Sequence, residues 1–452
     1  MKIFQTLARP FVSFVERYYP DAFIFVIVLS LITFLSALFL TDSTVTSTLL
    51  AWGNGLPMLL KFTAQITIIM VGAHALAHTN PVQKFLTRIG QLPNSANQAY
   101  SLVAFTSGIA SLCAWSFGLV IGAIVARSVA SECSKKSFKI HYPLLVASAY
   151  SGFVIWHMGY SSSAALFVST PGHLLEDRIG IIPVTETILS STNIVLALMA
   201  LAIITIICPL MKPKDKDIIE FTPDKINMSD NSSALDKQSE LTLIEKFENH
   251  RALNIFLGFA LVSYIVVTYT ENGFSLNLNI VSWTFLAFGL ILASSPMHFI
   301  KLINNAAATV GPIILQYPFY SGIMGMMATT GLMKVITDWI ISISTPETLG
   351  FFAFLSGGLV NMFIPSGGGQ WAVQGPIMIE AALSLNVNPS VVVLGVAYGD
   401  QWSNMIQPFW TIPILAIAGL HMRQILGYTF VIFIMTGFLY GGGMLYMGSG
   451  NI

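Results

Sequence analysis

Runs of about twenty apolar residues recur along this chain, and they limit its folds more than any other feature. A helix needs about 20 such residues to cross the hydrocarbon of a bilayer. Residues 21–40, 62–79, 143–169, 187–211, 253–270, 280–297, 310–333, 389–418 and 424–447 meet that requirement. Charged residues make up 9% of the 452, where a soluble domain carries about 25%. The expectation is an all-α polytopic membrane protein embedded in a lipid bilayer. A net charge of zero gives no reason to expect nucleic acid as a partner. Cys113, Cys133 and Cys208 are scattered and form neither a metal motif nor a disulfide framework. Residues 1–20 read as an interfacial amphipathic helix rather than a cleaved signal.

Two further apolar segments, 98–130 and 347–385, are interrupted by polar, glycine-bearing stretches. The sharper interruption is IPSGGGQWA, residues 364–372. A helix break leaves backbone N–H and C=O groups unpaired, and in lipid each costs several kcal/mol. Such a stretch survives only when it is buried in protein or lines a wet cavity. Lysine and arginine accumulate on the cytoplasmic side, which orients the chain. With the N-terminus inside, all of them except Lys61, Arg178 and Lys334 fall on the cytoplasmic side, provided that 98–130 and 347–385 are re-entrant hairpins. A full crossing at 98–130 would strand Arg127, Lys135, Lys136 and Lys139 outside. The polar stretch 212–250 then becomes a cytoplasmic linker between halves 1–211 and 251–452, and the C-terminus lies outside.

The halves repeat at an offset near 250. FTSGI (105–109) matches FLSGG (354–358), and AYSGF (149–153) matches AYGDQ (397–401), which pairs Asp400 with Gly152. Span 253–270 has no counterpart, so the second half runs inverted. Inverted repeats with broken helices meeting near the midplane are the architecture of secondary transporters. The expected breaks are Ser116-Phe117-Gly118 and residues 157–163 in the first half, and residues 365–371 and 399–408 in the second.

Where a helix restarts inside a membrane, its first N–H groups and its dipole form an anion site. Serine, asparagine and glutamine suit a carboxylate there, and no lysine or arginine lies near the four breaks. The expected cradle for a small carboxylate is Ser366, Gly367, Gly368, Gly369 and Gln370, with Ser116, Gly118 and the serines Ser161, Ser162 and Ser163. His157, Trp402 and Asn404 complete the candidate substrate-binding set. Asp400 and Asn361 are the candidates for ion coupling, because an ionisable side chain at membrane depth is by default functional. An unpaired buried carboxylate is costly, so Asp400 should carry a proton or hold Na⁺. Its bland reading is a helix cap, and His157 is as well read as a structural histidine. His74 and His78 have metal-ligand spacing, but the acidic residue of a metalloprotease helix is missing. The stretch 159–163 lacks the final glycine of a nucleophile elbow. No enzyme, metal site or cofactor other than a coupling cation is expected.

RPFVSFVERYYPDAF, SFGLVIGA, HMGYSSSA, FIPSGGGQWAVQGP and AYGDQWSNMIQPFW resemble the short-chain fatty acid transporter (AtoE-type) family, and the likeness extends over residues 1–452. More widely the chain resembles the ion transporter superfamily. That resemblance implies a scaffold domain and a moving transport domain with two re-entrant hairpins, and hence elevator-type alternating access. The scaffold would comprise 21–79 and 253–333. The transport domain would comprise hairpin 98–130, broken span 143–169, span 187–211, hairpin 347–385, broken span 389–418 and span 424–447. It implies cation-coupled symport of acetoacetate- or butyrate-like monocarboxylates across a bacterial cytoplasmic (inner) membrane. The asparagine–threonine pairs at the hairpin tips of dicarboxylate carriers are absent, so their sodium sites do not carry over, and Na⁺ and H⁺ both remain open. A porter for another organic anion such as a dicarboxylate, and an intramembrane acyl-processing enzyme, are the alternatives. Homo-oligomerisation is left open.

The topology is testable with reporter fusions at Lys237 and after Ile452, which should report opposite sides of the membrane. The same side for both would refute the odd-span inversion.

Overall fold

A computed structural model describes residues 22–136, 138–170, 172–173, 175–222, 242–273, 278–307, 310–365 and 367–450, and these are helical with no strand among them. The N-terminal interfacial helix expected over 1–20 lies outside the described residues, as do residues 223–241 of the central linker. The first half contains α1 (Ala22–Leu40), α2 (Val45–Gly55), α3 (Leu60–Ala77), α4 (Asn80–Gln91), α5 (Ala96–Cys113) and α6 (Trp115–Cys133). It continues with α7 (Tyr142–Ser151), a 3₁₀ segment (Gly152–Met158), α8 (Ser163–Ser169), the single turn α9 (Glu176–Ile179) and α10 (Ser191–Leu210). After α11 (Leu243–Glu248) and α12 (Arg251–Asn272) come α13 (Leu278–Leu292), α14 (Pro296–Ala307), α15 (Gly311–Thr329) and α16 (Leu332–Ser342). The chain ends with α17 (Leu349–Asn361), α18 (Gly367–Ser384), α19 (Pro389–Ser403), a 3₁₀ turn (Asn404–Ile406), α20 (Thr411–Ala418) and α21 (Met422–Gly448).

Short helices α2, α4, α14 and α16 were not anticipated. Each is only 11 or 12 residues long, too short for the twenty-residue apolar signal. Pro81 at the start of α4 and the capping box of Thr44 and Ser47 at α2 are the local signals that begin two of them. With α12 set aside, α1–α8 and α13–α20 follow in the same order. The halves also exchange partners crosswise. α1 and α2 pack on α15 while α13 and α14 pack on α3, and α6 packs on α20 while α18 packs on α8. Reciprocal exchange of this kind is what a two-fold relation between the halves produces.

Helices α5 and α6 fold back on each other. Ser107 donates to the carbonyl of Gly118 at 3.1 Å, and a Cβ on Gly122 would meet Ser107 Oγ at 2.6 Å. In the second hairpin Gln370 on α18 donates to the carbonyl of Gly357 on α17 at 2.9 Å, and Gln374 to Ser356 Oγ at 2.9 Å. Each broken span presses a glycine onto its hairpin. A Cβ on Gly152 would lie 2.5 Å from the nitrogen of Gly108, and one on Gly399 would lie 2.5 Å from the nitrogen of Gly358. These matching contacts set the register of the repeat. Gly399 is the counterpart of Gly152, so Asp400 corresponds to Phe153 and not to Gly152 as the letters suggested. The same register equates His157 with Asn404.

Elsewhere Ser321 on α15 donates to the carbonyl of Gly55 at 2.6 Å, and Gly55, Gly322 and Gly325 let α2 and α15 approach closely. Small residues at a helix crossing are how membrane helices pack without a hydrophobic drive. The outer faces are apolar. Phe39, Phe256 and Phe438 are 81%, 76% and 79% exposed, as lipid-facing side chains are. The runs Ser191–Leu210, Leu243–Glu271 and Met422–Gly448 are long and apolar enough to cross a membrane.

Gly152→Ala and Gly399→Ala should each destabilise the fold by about 1–3 kcal/mol through overpacking against backbone. Gly442→Ala should not, since a Cβ there meets nothing within 4 Å. Thermal melting of the three purified variants in detergent checks the difference.

Candidate functional site

The two breaks in the broken spans are held by side chains from distant helices. In the first, Tyr160 N–H donates to the carbonyl of Leu112 at the α5–α6 turn, 2.8 Å, and Ser161 Oγ accepts the N–H of Trp115 at 2.8 Å. Tyr440 donates to the carbonyl of Val154 at 2.8 Å, and Asn193 Nδ2 to that of Met158 at 3.0 Å. In the second, Tyr150 donates to the carbonyl of Asn404 at 2.7 Å, and Thr429 to that of Met405 at 2.6 Å. Gln407 Nε2 reaches the carbonyl of Asn361 at the end of α17, 2.7 Å. Tyr398 in turn donates to Asn193 Oδ1 at 2.7 Å. Non-helical backbone is thus satisfied from within the protein, as membrane depth demands.

Between these breaks lies a buried polar cluster. His157 and Asp400 are each about 1% exposed, with Nε2 3.7 Å from Oδ1. His157 is anchored by its own N–H, which donates to Gln401 Oε1 at 2.8 Å, and its Nδ1 lies 3.1 Å from Ser162 Oγ. Asn404 Nδ2 approaches Asp400 Oδ1 at 3.4 Å, so the repeat-related pair His157 and Asn404 converge on one carboxylate oxygen. Asn361 Nδ2 ties the hairpin to the span, meeting the carbonyl of Asp400 at 3.0 Å, Ser403 Oγ at 2.8 Å and Asn404 Oδ1 at 2.6 Å. Several polar atoms here have no hydrogen-bond partner in the protein: His157 Nε2, Asp400 Oδ2, Asn361 Oδ1, Gln370 Oε1, Gln401 Nε2, Gln407 Oε1 and Trp156 Nε1. Buried polar atoms in folded proteins are nearly always paired, so a group of orphans points to a ligand site.

The start of α18 adjoins this cluster. A Cβ on Gly367 would fall 2.6 Å from His157 Nε2, while one on Gly368 meets only Ser163 Cβ, at 3.9 Å. The first leaves no room beside the imidazole, and the second faces open space. Aromatic rings stand nearby. Trp156 lies against His157 at 3.6 Å between centroids, Phe153 packs on Trp410 at 5.5 Å, and Trp115 meets Trp410 edge-on at 5.0 Å.

The structure therefore brings together His157, Ser162, Gly367, Asn361, Asp400 and Asn404, and sets Ser163 beside Gly368. Ser161 is spent as the cap of α6. The turn between α5 and α6 is at Ala114, whose backbone is extended, so the expected break at 116–118 lies inside α6. Gly118 there packs on Ser111 and not on the cluster, since a Cβ would fall 3.0 Å from the Ser111 Cα. Residues 399–403 likewise remain helical, and the second span breaks only at Asn404. Trp402 turns to α21, where its indole donates to the carbonyl of Phe433 at 2.6 Å and stacks on Phe433 at 4.0 Å. Gln370 is engaged within its hairpin by Gly357 and Gln374. Gly369 is in the first turn of α18. Ser366 and the side chain of Ser116 lie outside the described residues. His74 and His78 stack on each other at 4.1 Å and no acidic residue joins them in a metal-binding group among the described residues. Residues that the sequence did not single out are Tyr150, Asn193, Tyr398, Gln401, Gln407, Thr429 and Tyr440. Asn193 and Thr429 stand as polar residues in apolar spans, Gln401 and Gln407 lie within the expected break 399–408, and the tyrosines read as ordinary aromatic residues.

The model of the short chain fatty acid transporter family matches residues 3–447. The chain belongs to that family. It is 37% identical over 434 residues, 96% of its length and 98% of the relative's, to a candidate short-chain fatty acid transporter of Escherichia coli strain K12. It is 36% identical to a protein described in the same way from Haemophilus influenzae, covering 98% of this chain and 99% of that one. Among solved structures it is similar to the Alcanivorax borkumensis YdaH transporter, with 13% identity, 94% of this chain and 98% of that chain covered, and a TM-score of 0.45. Family membership and the apolar outer faces make the protein an integral membrane protein and a transporter.

Gly367→Ala should push the imidazole of His157 off its position beside Asp400. Substrate binding by titration calorimetry should weaken at least about tenfold, with the fold retained, because the displaced atoms are a side-chain ring and not backbone.

Proposed function

We propose that the protein is a cation-coupled secondary transporter of short-chain monocarboxylates of the acetoacetate or butyrate kind. The observation that carries this reading is the unpaired, buried Nε2 of His157 at the start of α18. A helix N-terminus presents backbone N–H groups and a positive dipole end, which suit a carboxylate. His157, Gln401 Nε2 and Trp156 Nε1 supply further donors without the desolvation cost of a buried lysine. The rings of Trp156, Phe153, Trp115 and Trp410 suit a short apolar tail. A second carboxylate would need a further polar receptor, which this aromatic surface does not offer, so a dicarboxylate fits less well. The relatives described as candidate short-chain fatty acid transporters support the same substrate class.

In this reading the hairpins α5–α6 and α17–α18 are re-entrant and enter from opposite sides of a cytoplasmic membrane, with the N-terminus inside. Helices α1–α3 and α12–α15 form the scaffold. The moving domain holds the two hairpins, the broken spans, α10 and α21, and slides against the scaffold by an elevator motion. Support for sliding comes from rings between the two groups, such as Phe117 on Phe285 at 4.7 Å and Phe409 on Tyr317 at 4.1 Å. Apolar ring contacts can exchange at lower cost than directional hydrogen bonds.

The direct test is exchange of labelled acetoacetate and butyrate in proteoliposomes, with protein-free vesicles subtracted. Gly368→Val should reduce binding at least about tenfold by filling the open space before Ser163, with the melting temperature unchanged. Unaltered affinity in that variant would remove the start of α18 from the site.

A further inference from the structure

Two ionisable side chains face each other inside the proposed carrier: His157 Nε2 lies 3.7 Å from Asp400 Oδ1, beyond a hydrogen bond, and Asp400 Oδ2 has no hydrogen-bond partner. The other titratable groups on the surrounding helices are already committed. Tyr150, Tyr398 and Tyr440 donate to Asn404, Asn193 and Val154. Glu380 on α18 is 71% exposed and pairs with Arg178 at 3.7 Å, and Arg127 on α6 reaches the carbonyl of Ile417 at 3.3 Å. Among the described residues no third charged side chain forms an ion pair with either.

Charge counting then decides what a bound monocarboxylate needs. Asp400 ionised beside protonated His157 sums to zero. A bound carboxylate brings the buried sum to minus one, which a low-dielectric interior penalises heavily. One added proton, placed on Asp400, restores zero. We propose, resting on the transport reading above, that His157 and Asp400 form a proton site and that each monocarboxylate crosses with one proton, electroneutrally. The proton enters with the substrate on one side and leaves with it on the other, and the empty carrier returns as the neutral pair.

The surroundings favour a proton over a hard metal cation. A ring nitrogen faces Asp400 Oδ1, and hard cations take oxygen ligands. The neighbouring carbonyls of Gly399, Asp400, Asn361 and Asn404 already accept hydrogen bonds. The oxygens left without a hydrogen-bond partner, on Asp400, Asn361, Gln370 and Gln407, are what a sodium ion would have to use.

The test is calorimetry of acetoacetate binding to the purified full chain in buffers of different ionisation enthalpy. One proton should be taken up per acetoacetate, and wherever that uptake is seen the affinity should fall about tenfold for each unit that the pH rises. Asp400→Asn should bring proton uptake to zero and flatten the pH profile, while Asp400→Glu should keep both. In proteoliposomes, a potassium diffusion potential of about 100 mV should leave the accumulation ratio unchanged, where each net charge moved would alter it roughly 50-fold. Acetoacetate binding without proton uptake, an affinity raised by sodium, or a potential-driven gradient would overturn the proton site and leave the transport reading standing. No binding of either monocarboxylate would bring down both.

Discussion

Every backbone group at a helix break inside a membrane protein must find a partner within the chain, and the rest of this structure follows from that requirement. The breaks after Met158 and Asn404 are held by Tyr440 and Thr429 of α21, Asn193 of α10 and Tyr150 of α7, while Gln407 of the second break ties itself to the carbonyl of Asn361. Leaving those carbonyls unpaired would cost several kcal/mol each, a large fraction of the stability of a typical fold. The same bonds fix where the side chains of the broken segments point. His157 and Asp400 meet because both backbones are pinned by groups unrelated to the ligand.

The halves share a frame and differ in chemistry. Each presses one glycine, Gly152 or Gly399, onto its hairpin, and the crosswise packing repeats around both. Within that frame Phe153 stands in one half where Asp400 stands in the other, and His157 where Asn404 stands. One half contributes the imidazole and the other the carboxylate. A symmetric frame can thus hold an asymmetric polar cluster at its centre.

Much of the fold is legible in the sequence. The apolar runs announce helices, and glycine, proline and polar clusters mark where those helices stop. Short helices such as α4 and α16 escaped because their 12 and 11 residues are fewer than a membrane crossing requires. The site was legible in part. His157, Asp400, Asn361 and Asn404 stand out as polar residues in apolar surroundings, whereas Tyr150 and Tyr440 look like ordinary aromatic residues until their hydroxyls are located.

The sequence by itself determined that the chain is helical, membrane-embedded, interrupted at defined places and built on a repeat. These properties depend on composition and on local backbone preference, which neighbouring residues carry. Only the tertiary structure decided the register of the repeat, the turn at Ala114, the withdrawal of Trp402 toward Phe433 and the meeting of His157 with Asp400. Register is set where the absence of a Cβ allows two backbones to touch, and matching letters do not record that. The His157–Asp400 pair joins residues far apart in the chain, and its geometry depends on hydrogen bonds from helices that no local pattern connects.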